Sequence, residues 1–352
     1  MSKKMKAGVL KAVKNISTEL VDVPQISDDE VLVKVGHAGI CGTDFERVLK
    51  TGTWRFPTVL GHEFGGTVVE VGSNVKNLKV GDKVAVNPMV PCLNCDRCKR
   101  SQYNMCRDYD YLGSRSDGGF AEYAKVRWDN AYKVPENFTF DQIASVDPVA
   151  VGLHGIVKGR FKIGQSVAIL GAGPIGHYMV QWAKMLGASV IFAVDIVKEK
   201  LDIANEVGAD VCINATEEDV TKKILALTGG EGVDLAIESA GAVATVQQAI
   251  QVTRKQGNVV LLGTPHQDVI LPDKTFEGIL RRELNVIGAW CYHFSPPINE
   301  WTASIKAIAD GNIRVEPVIT HHFPLDAVDK AFKMVEDKNE FFNKIIITVE
   351  KE

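Results

Sequence analysis

The stretch from Ser166 to Gly187 constrains the fold most, because it joins an apolar run, a glycine-rich turn and an amphipathic segment. The run Ser166–Leu170 is typical of a buried strand, and the amphipathic segment stops at Gly187, a usual helix C-cap. The turn has the spacing Gly-x-Gly-x-x-Gly and consists of Gly171, Ala172, Gly173, Pro174, Ile175 and Gly176. This stretch predicts a strand, a tight turn and a helix, in that order.

The pyrophosphate of a dinucleotide explains the glycine spacing. Gly171 permits the tight turn, Gly173 lets backbone approach the phosphates, and Gly176 lets helix and strand pack closely. Asp195 ends the next apolar run, nineteen positions after Gly176. Its carboxylate is expected to accept hydrogen bonds from both hydroxyls of an adenosine ribose. The chain is therefore expected to bind a dinucleotide.

Composition and charge exclude several function classes. With 352 residues, 45% hydrophobic and 24% charged, the chain has enough material for about two domains. A net charge of −4 and the lack of basic runs interleaved with aromatics argue against a nucleic-acid partner. No apolar stretch reaches the length of a membrane helix, and the first residues lead into a strand rather than a signal-peptide core. We expect a cytoplasmic protein without a membrane partner.

The sequence pattern changes near Val151 and divides the chain into two parts. Up to about Val151, short β-branched runs are punctuated by Gly and Pro. From there strands alternate with helical segments, which predicts a doubly wound parallel sheet. The predicted strands of the first part are Met5–Val13, Glu30–Gly36, Gly66–Gly72, Asp82–Val86 and Phe120–Val126. The predicted strands of the second part are Val167–Leu170, Val190–Val194, Val211–Ile213, Val233–Ile237, Val259–Leu262 and Asn285–Ile287.

The tail after Trp290 is too short to form a domain of its own. Its expected elements are a helix around Glu300–Ala309, a strand Val315–Ile319, a helix near Leu325–Glu336 and a strand Lys344–Val349. We expect it to return to the β-rich part. The predicted organisation is residues 1–152 with a zinc lobe at 90–110, residues 153–290, and residues 291–352 returning to the first domain.

A cluster of four cysteines is the most specific signal. Of the seven cysteines, four lie in a short charged loop: Cys92, Cys95, Cys98 and Cys106. This spacing closes a tetrahedral zinc site without an open position. It fits a bound metal in a reducing compartment better than it fits a disulfide scaffold. Such a site is structural, so loss of the metal is expected to loosen the lobe locally rather than to abolish the chemistry.

A second metal set is scattered. Cys41 lies in Gly39-Ile-Cys41-Gly-Thr43-Asp44, and His62 and Glu63 lie in Gly61-His62-Glu63-Phe-Gly-Gly66. A lone histidine after a glycine is usually a surface or core residue. A thiolate, an imidazole and a nearby carboxylate together can hold Zn²⁺ while leaving one position open for a substrate oxygen.

On these motifs the chain resembles the zinc-dependent medium-chain alcohol dehydrogenases along its whole length. Within that family it is most similar to sugar-alcohol-phosphate dehydrogenases of the galactitol-1-phosphate and arabitol-phosphate type. Three stretches carry the narrower match: Gly113–Tyr123, Gly263–Asp268 and Ile279–Trp290. The resemblance implies an α/β fold with a GroES-like β-rich catalytic domain and a Rossmann domain containing a doubly wound, six-stranded parallel sheet. It also implies two Zn²⁺ per subunit, one catalytic and one structural.

The same resemblance implies roles for individual residues. Cys41, His62 and Glu63 resemble the family's catalytic-metal ligands and their acidic neighbour. A further carboxylate ligand in the polyol branch is commonly Glu before Pro; this chain has Asp147, one methylene shorter, so direct and water-bridged contacts both stay open. Thr43 is expected to take the alcohol proton.

Glu46 stands where a relay histidine is common, so either its carboxylate continues the relay or the proton leaves through water. The implied reaction passes a hydride from a zinc-polarised alcohol to nicotinamide. Asp195 favours NAD over NADP, although Lys198 or Lys200 leaves NADP use open. Lys344 resembles a basic residue near the family's C-terminus, but we expect a solvated surface lysine.

The leading functional hypothesis is the oxidation of a phosphorylated polyol to a ketose phosphate. A phosphate dianion needs two or more converging donors. The candidates are Arg47, Lys50, Arg115 and His293. Two alternatives remain: the same chemistry on a free polyol or on threonine, and a non-catalytic dinucleotide-binding protein, against which both metal sets argue.

The strand Asn285–Ala289 is apolar and is expected at the edge of the parallel sheet. An uncovered edge of this kind invites pairing with a second copy. A homodimer is expected, and assembly to a homotetramer stays open.

Overall fold

A computed structural model describes residues 3–295 and 298–350 of the chain. The chain divides into two compact units. The first contains residues up to Asp147 together with His293–Ala309 and Ile319–Glu352, and the second contains Pro148–Tyr292 and Asp310–Val318. The expected boundaries at 152/153 and 290/291 lie within a few residues of these, but the short segment 310–318 belongs to the second unit rather than to the returning tail.

The first unit is dominated by antiparallel strands. They are β1 Lys4–Ala12, β2 Asn15–Asp22, β3 Glu30–Ile40, β4 Thr58–Val59, β5 Glu63–Val71, β6 Lys83–Val86, β7 Met89–Val90, β8 Asp110–Tyr111, β9 Tyr123–Arg127 and β10 Ala131–Lys133. The α-helices α1 Gly42–Glu46 and α2 Phe140–Ala144 also belong to this unit, and α3 Val146–Lys158 continues from it into the second unit at Pro148. One sheet has the order β10-β6-β5-β3, with β9 also pairing with β3, and a smaller one has the order β2-β1-β4. Val31, Val33 and Val35 of β3 are fully buried, which matches their predicted alternation.

The hairpin between β1 and β2 was not predicted. Its turn includes Lys14 with φ of 63°, a left-handed conformation that usually needs Gly or Asn. Because the sequence carries no such turn signal, Asn15–Asp22 is not recognisable as a strand from its pattern alone.

The second unit is an alternating α/β structure, and the structure describes all of its residues. Its elements are β11 Ser166–Leu170, α4 Pro174–Met185, β12 Val190–Asp195, α5 Lys198–Glu206, β13 Val211–Asn214, α6 Val220–Leu227, β14 Val233–Glu238, α7 Val243–Val252, β15 Thr253–Leu261, α8 Asp273–Arg281 and β16 Asn285–Gly288. The six strands are parallel in the order β13-β12-β11-β14-β15-β16. This is the doubly wound order, in which successive strands are added in one direction from β11 to β13 and in the opposite direction from β14 onward. The predicted α/β fold class with a six-stranded parallel sheet is confirmed.

The tail completes the first unit. Its elements are β17 Phe294–Ser295, β18 Ile298–Asn299, α9 Glu300–Ala309, β19 Ile319–Pro324, α10 Val328–Asp337 and β20 Lys344–Thr348. Strand β20 pairs antiparallel with β3, and β19 pairs parallel with β20. The main sheet therefore runs β10-β6-β5-β3-β20-β19.

The predicted strand Val315–Ile319 is wrong. A 3₁₀ turn occupies Glu316–Val318, and the strand begins only at Ile319. Pro317 lies within the turn and cannot donate a ladder hydrogen bond, which explains why pairing starts after it.

Across residues 3–295 and 298–350, no helix combines the length and the apolar character that crossing a bilayer requires.

Candidate active site

Strand pairing brings three potential metal ligands together in the first unit. Cys41 follows β3 directly, and His62 and Glu63 stand where β5 begins. Because Gly39 of β3 pairs with Glu63 of β5, the end of one strand lies beside the start of the other. Ligand atoms of Cys41, His62 and Glu63 lie within 4.8 Å of one another. The structure thus assembles the thiol, imidazole and carboxylate that the sequence suggested.

His62 carries the strongest sign that this set fits a cation. Its ring is buried, and Nδ1 has no hydrogen-bond partner within the described part of the chain. The nearest carboxylate oxygen, Asp44 Oδ1, is 3.4 Å away without the geometry of a hydrogen bond. Burial by itself lowers the pKa of His62, but the charges of Asp44 and Cys41 outweigh it and raise the pKa well above its usual value. An imidazole among anionic groups is an environment that suits Zn²⁺.

Asp44 is a functional residue that the sequence analysis quoted but did not assign a role. Its side chain is completely buried and accepts hydrogen bonds from the Cys41 backbone N–H at 3.1 Å and from Arg47 Nη1 at 3.0 Å. Burial raises the pKa of Asp44, but His62 and Arg47 more than offset this and leave the pKa below its ordinary value. Asp44 is therefore an ionised carboxylate that orients a metal ligand and its helix.

Lys344 corrects the prediction of a solvated surface lysine. Only 2% of its side chain is exposed, and its ammonium forms a buried ion pair with Glu63 and donates to the Ile40 carbonyl at 3.0 Å. A buried lysine needs such partners, because an unpaired buried charge is very costly. The sequence signal is its position at the start of the apolar run Lys344–Ile347, where a strand buried on both faces begins. Lys344 thus holds one oxygen of the Glu63 carboxylate.

The expected proton relay begins at Thr43 on α1. Arg47 Nη1 donates to Thr43 Oγ1 at 3.1 Å as well as to Asp44. The next candidate, Glu46, instead accepts from Lys50 Nζ at 3.0 Å. Arg47 and Lys50, expected at a phosphate, are therefore each already bound to a carboxylate.

Two further predicted residues do not join the metal group. Asp147 is buried near the start of α3, but the described ligand set within 4.8 Å comprises only Cys41, His62 and Glu63, so metal contact by Asp147 stays a prediction. His293 precedes α9, and its backbone N–H donates to Glu300 Oε2 at 2.5 Å. Its contact with a phosphate also stays a prediction.

The four lobe cysteines converge as the spacing predicted. Cys92, Cys95, Cys98 and Cys106 place their sulfur atoms within 4.8 Å of one another. The Cys92–Cys98 and Cys95–Cys106 sulfur pairs are 4.0 and 3.9 Å apart. Four thiolates at about 2.3 Å from zinc in a tetrahedron are separated by about 3.8 Å, so the donor set fits a structural Zn²⁺. Backbone N–H groups of Arg107 and Cys98 lower the pKa of Cys95 to about 6, which favours the thiolate.

The glycine turn lies in the second unit, where β11 gives way to α4. Gly171 has φ of 110°, and a Cβ there would lie 2.7 Å from the Ala240 backbone nitrogen. A Cβ on Gly176 would lie 2.1 Å from the Gly171 carbonyl oxygen, whereas a Cβ on Gly173 would meet open space. Helix α4 starts at Pro174, followed by Ile175, and Gly173 caps it without a side chain. The turn thus combines close packing with one open glycine at a helix N-terminus, which fits a pyrophosphate.

Asp195 ends β12 beside this turn. One carboxylate oxygen accepts the Ala172 N–H at 2.8 Å, and the other accepts the N–H groups of Ile196 and Val197 at 2.8 and 3.1 Å. Lys198 forms an ion pair with Asp202 at 2.7 Å. Of the two lysines that left NADP use open, Lys200 is therefore the one not paired with a carboxylate in the described structure.

Arg115 lies in an aromatic setting that the sequence did not indicate. Its guanidinium carbon is 4.3 Å from the Trp54 ring centroid and 4.2 Å from the Tyr109 ring centroid. Ring contacts continue from Tyr109 to Tyr111 at 6.5 Å and from Tyr111 to His62 at 5.7 Å. Arg115 is thus connected through two tyrosines to a metal-ligand candidate.

Comparisons with known proteins show which family the chain resembles. The alcohol dehydrogenase GroES-like domain matches residues 27–136, and the zinc-binding dehydrogenase family matches residues 174–310. Galactitol 1-phosphate 5-dehydrogenase of Escherichia coli strain K12 is 37% identical over 313 residues, 88% of this chain and 90% of that protein. Sorbitol dehydrogenase of Bombyx mori is 36% identical over 354 residues, 98% of each chain.

The crystal structure of galactitol-1-phosphate dehydrogenase from Escherichia coli has a TM-score of 0.93 at 34% identity, covering 98% of this chain and 100% of that one. Identity at this level over nearly the whole chain, together with the assembled ligand sets, settles the family. The chain belongs to the zinc-dependent medium-chain alcohol and polyol dehydrogenases, with their GroES-like and Rossmann-type domains.

Proposed function

We propose that this enzyme oxidises a secondary alcohol of a polyol phosphate to a ketose phosphate, with NAD as the preferred hydride acceptor. The observation that carries the phosphate assignment is Arg115, whose guanidinium contacts the Trp54 and Tyr109 rings and is linked by ring contacts to His62. Its Nη1 also donates to the Tyr109 carbonyl at 3.1 Å. These contacts fix the guanidinium and leave its remaining N–H groups to contact a phosphate. The similarity to a galactitol 1-phosphate dehydrogenase supports the same substrate class.

Zinc held by Cys41, His62 and Glu63 would supply the Lewis acidity that lowers the pKa of a substrate hydroxyl. Thr43 accepts an N–H from Arg47, so its own hydroxyl proton is left to point toward another acceptor. Thr43 is thereby suited to pass a proton outward as the substrate loses one. Lys344 neutralises Glu63 and limits the negative charge around the ligands.

The cofactor preference rests on Asp195 and Lys200. The Asp195 carboxylate is fixed by three backbone N–H groups, so its charge remains at the end of β12, where a ribose is expected. The 2′-phosphate of NADP, bound there, would be repelled by the negative charge of Asp195. We therefore propose NAD as the main acceptor, with Lys200 as the residue that supports any NADP use.

A free polyol is the second candidate, and one observation favours it. Arg47 and Lys50 already bind Asp44 and Glu46, so two of the cations expected at a phosphate have carboxylate partners. The similarity to a sorbitol dehydrogenase is almost as high as that to the polyol-phosphate enzyme.

The decisive experiment compares Arg115→Ala with the wild type on galactitol 1-phosphate, arabitol phosphate, galactitol, arabitol, sorbitol and threonine. We expect kcat/KM for the phosphorylated substrate to fall about tenfold to a hundredfold, because a charge-assisted contact contributes about 1.5–3 kcal/mol. Activity on the free polyol should change little, which also shows that the variant remains folded. Arg97→Ala, in the cysteine lobe, is the matched control.

An equal loss on phosphorylated and free polyols would contradict the phosphate contact. A wild-type preference for a free polyol or threonine would replace the substrate assignment. Cys41→Ser separates chemistry from cofactor binding, because it should abolish turnover on every substrate while NAD binding persists.

A further inference from the structure

A third group of metal-ligating side chains lies in the first unit, apart from both cysteine-containing sets. It consists of His37 on β3, Asp141 on α2 and His322 on β19, whose ligand atoms lie within 4.8 Å of one another. These residues are far apart in the sequence, and none of them belongs to a recognisable motif. The fold alone brings them together.

Sheet geometry explains the convergence. His37 pairs with Thr348 of β20, and His322 pairs with Ile346, two positions earlier on the same strand. Residues two apart on a strand lie on one face of the sheet, so both imidazoles belong to the same face. Helix α2 packs on β3, with Phe140 against the His37 ring, and adds Asp141. Three regular elements therefore fix the three donors.

The distances suit a small cation. Asp141 Oδ1 is 2.7 Å from His37 Nδ1, and Asp141 Oδ2 is 2.9 Å from His322 Nε2. Nitrogen and oxygen ligands at about 2.0–2.1 Å from zinc are separated by about 2.9–3.3 Å when their bond angles are near 90–109°. Asp141 Oδ1 alone lies 2.7 Å from His37 Nδ1 and 3.1 Å from His322 Nε2, so these oxygen–nitrogen distances need shifts of about a few tenths of an ångström at most. The two imidazole nitrogens lie within 4.8 Å of each other.

The three side chains differ in their exposure to solvent. The side chains of His37, Asp141 and His322 are 8%, 23% and 46% exposed. An ion can therefore approach from the His322 side and keep water in its remaining positions. Burial raises the pKa of Asp141, but the hydrogen bonds from His37 and His322 more than offset this and lower the pKa below its ordinary value, so the carboxylate is ionised at neutral pH.

We propose that His37, Asp141 and His322 bind a divalent transition-metal ion at a site separate from the active-site ligands and the cysteine lobe. Two imidazoles and a carboxylate are donors that zinc and its neighbours in the first transition row accept. The ion binds the ring nitrogens that now face Asp141, so each imidazole must present an unprotonated nitrogen there. Once bound, the ion cross-links β3, α2 and β19.

The test uses the full-length enzyme as isolated with its resident metal, and ZnCl₂ as the probe. The protein is dialysed against excess ZnCl₂ at about pH 8, where histidine is largely neutral, and zinc per chain is counted by mass spectrometry. The wild type should hold one more equivalent than His322→Gln. Glutamine keeps an N–H donor for Asp141 but removes the imidazole ligand, so the variant should fold normally.

His321→Gln is the matched control. Its ring bonds Thr320 Oγ1 at 2.9 Å and stacks on Phe323, so it lies outside the metal group. It should keep the extra equivalent, and added zinc should raise the Tm of the wild type and His321→Gln but not of His322→Gln. In ZnCl₂-soaked crystals, an anomalous peak should appear between His37 and His322.

Equal zinc content in the wild type and His322→Gln would overturn the proposal and leave the group as a hydrogen-bonded cluster. Loss of the same equivalent in His321→Gln would overturn it as well. Neither readout depends on turnover, so the outcome is independent of the substrate assignment.

Discussion

At the residue scale, Asp44 connects the parts of the active site. Its carboxylate is completely buried, bonds the Cys41 backbone and Arg47, and lies 3.4 Å from His62 Nδ1. A buried charge is tolerated only with such partners. One side chain therefore holds the Cys41 backbone and the arginine that contacts Thr43, and places a negative charge beside the His62 imidazole.

Replacing Asp44 by Asn tests this connection. Asparagine keeps the size and one acceptor oxygen but removes the negative charge beside His62, so metal affinity or kcat/KM should fall about 10–100-fold. Zinc content and steady-state kinetics measure the effect. Asp96→Asn, at an exposed ion pair with Arg107, serves as control and should leave activity unchanged. Wild-type zinc content and activity in Asp44→Asn would show that the carboxylate is only structural.

We propose that Asp195 sets the cofactor preference. Asp195→Ala removes the negative charge at the end of β12 while Lys200 remains, so the kcat/KM ratio of NADP to NAD should rise about tenfold to a hundredfold, on the scale of one charge-assisted contact. Because this carboxylate also binds three backbone N–H groups, Asp195→Asn is made in parallel to remove only the charge. An unchanged ratio in both variants would mean that Asp195 does not face the ribose.

At the element scale, a buried histidine links helices α4 and α5 of the second unit. His177 on α4 is fully buried and its Nε2 donates to the Lys200 carbonyl of α5 at 2.9 Å. Burial lowers the pKa of His177 to about 4. The folded protein therefore keeps this ring neutral at physiological pH.

This pKa predicts acid sensitivity with a definite sign. The pKa of His177 in the folded protein, about 4, lies below the unfolded value of about 6.5. The contribution of the neutral ring to the free energy of unfolding is therefore complete above pH 6.5 and is lost as the pH falls toward 4. The loss in the free energy of unfolding amounts to about 3 kcal/mol. Urea unfolding at several pH values should show a shallower acid decline for His177→Gln than for the wild type. Parallel declines would contradict the assignment.

At the scale of the whole molecule, one edge of the parallel sheet is open and apolar. Strand β16 has no neighbour on its outer side within the second unit. Large apolar side chains are exposed on and near it: Ile270, Phe276, Leu280, Val286 and Trp290. A row of unpaired backbone groups beside exposed apolar side chains favours association.

We therefore expect a homodimer formed through β16, with further assembly to a tetramer possible by symmetry. Val286→Glu places like charges near each other across a twofold axis and should shift the enzyme toward monomer. Light scattering at micromolar concentration measures the mass, with Val80→Glu, an exposed valine of the first unit, as control. A monomeric wild type would refute the expectation.

The sequence by itself determined the features that depend on neighbouring residues. Three segments each contain, within a few positions, the residues that a backbone conformation or a metal requires. They are the glycine turn, the four-cysteine loop and the Gly-His-Glu segment. Their convergence in the structure follows from strand order and loop closure. The alternation of β11 to β16 with helices likewise predicts the parallel sheet, because such crossovers have few alternatives.

Only the tertiary structure decided which charged residues are paired. Lys344 is buried against Glu63, and His37 meets Asp141 and His322. The physical reason is that the free energy of a charged side chain depends on burial and on its partners. For Lys344 and the His37 group, those partners are brought close by strand pairing between distant parts of the chain, and no local pattern records that pairing.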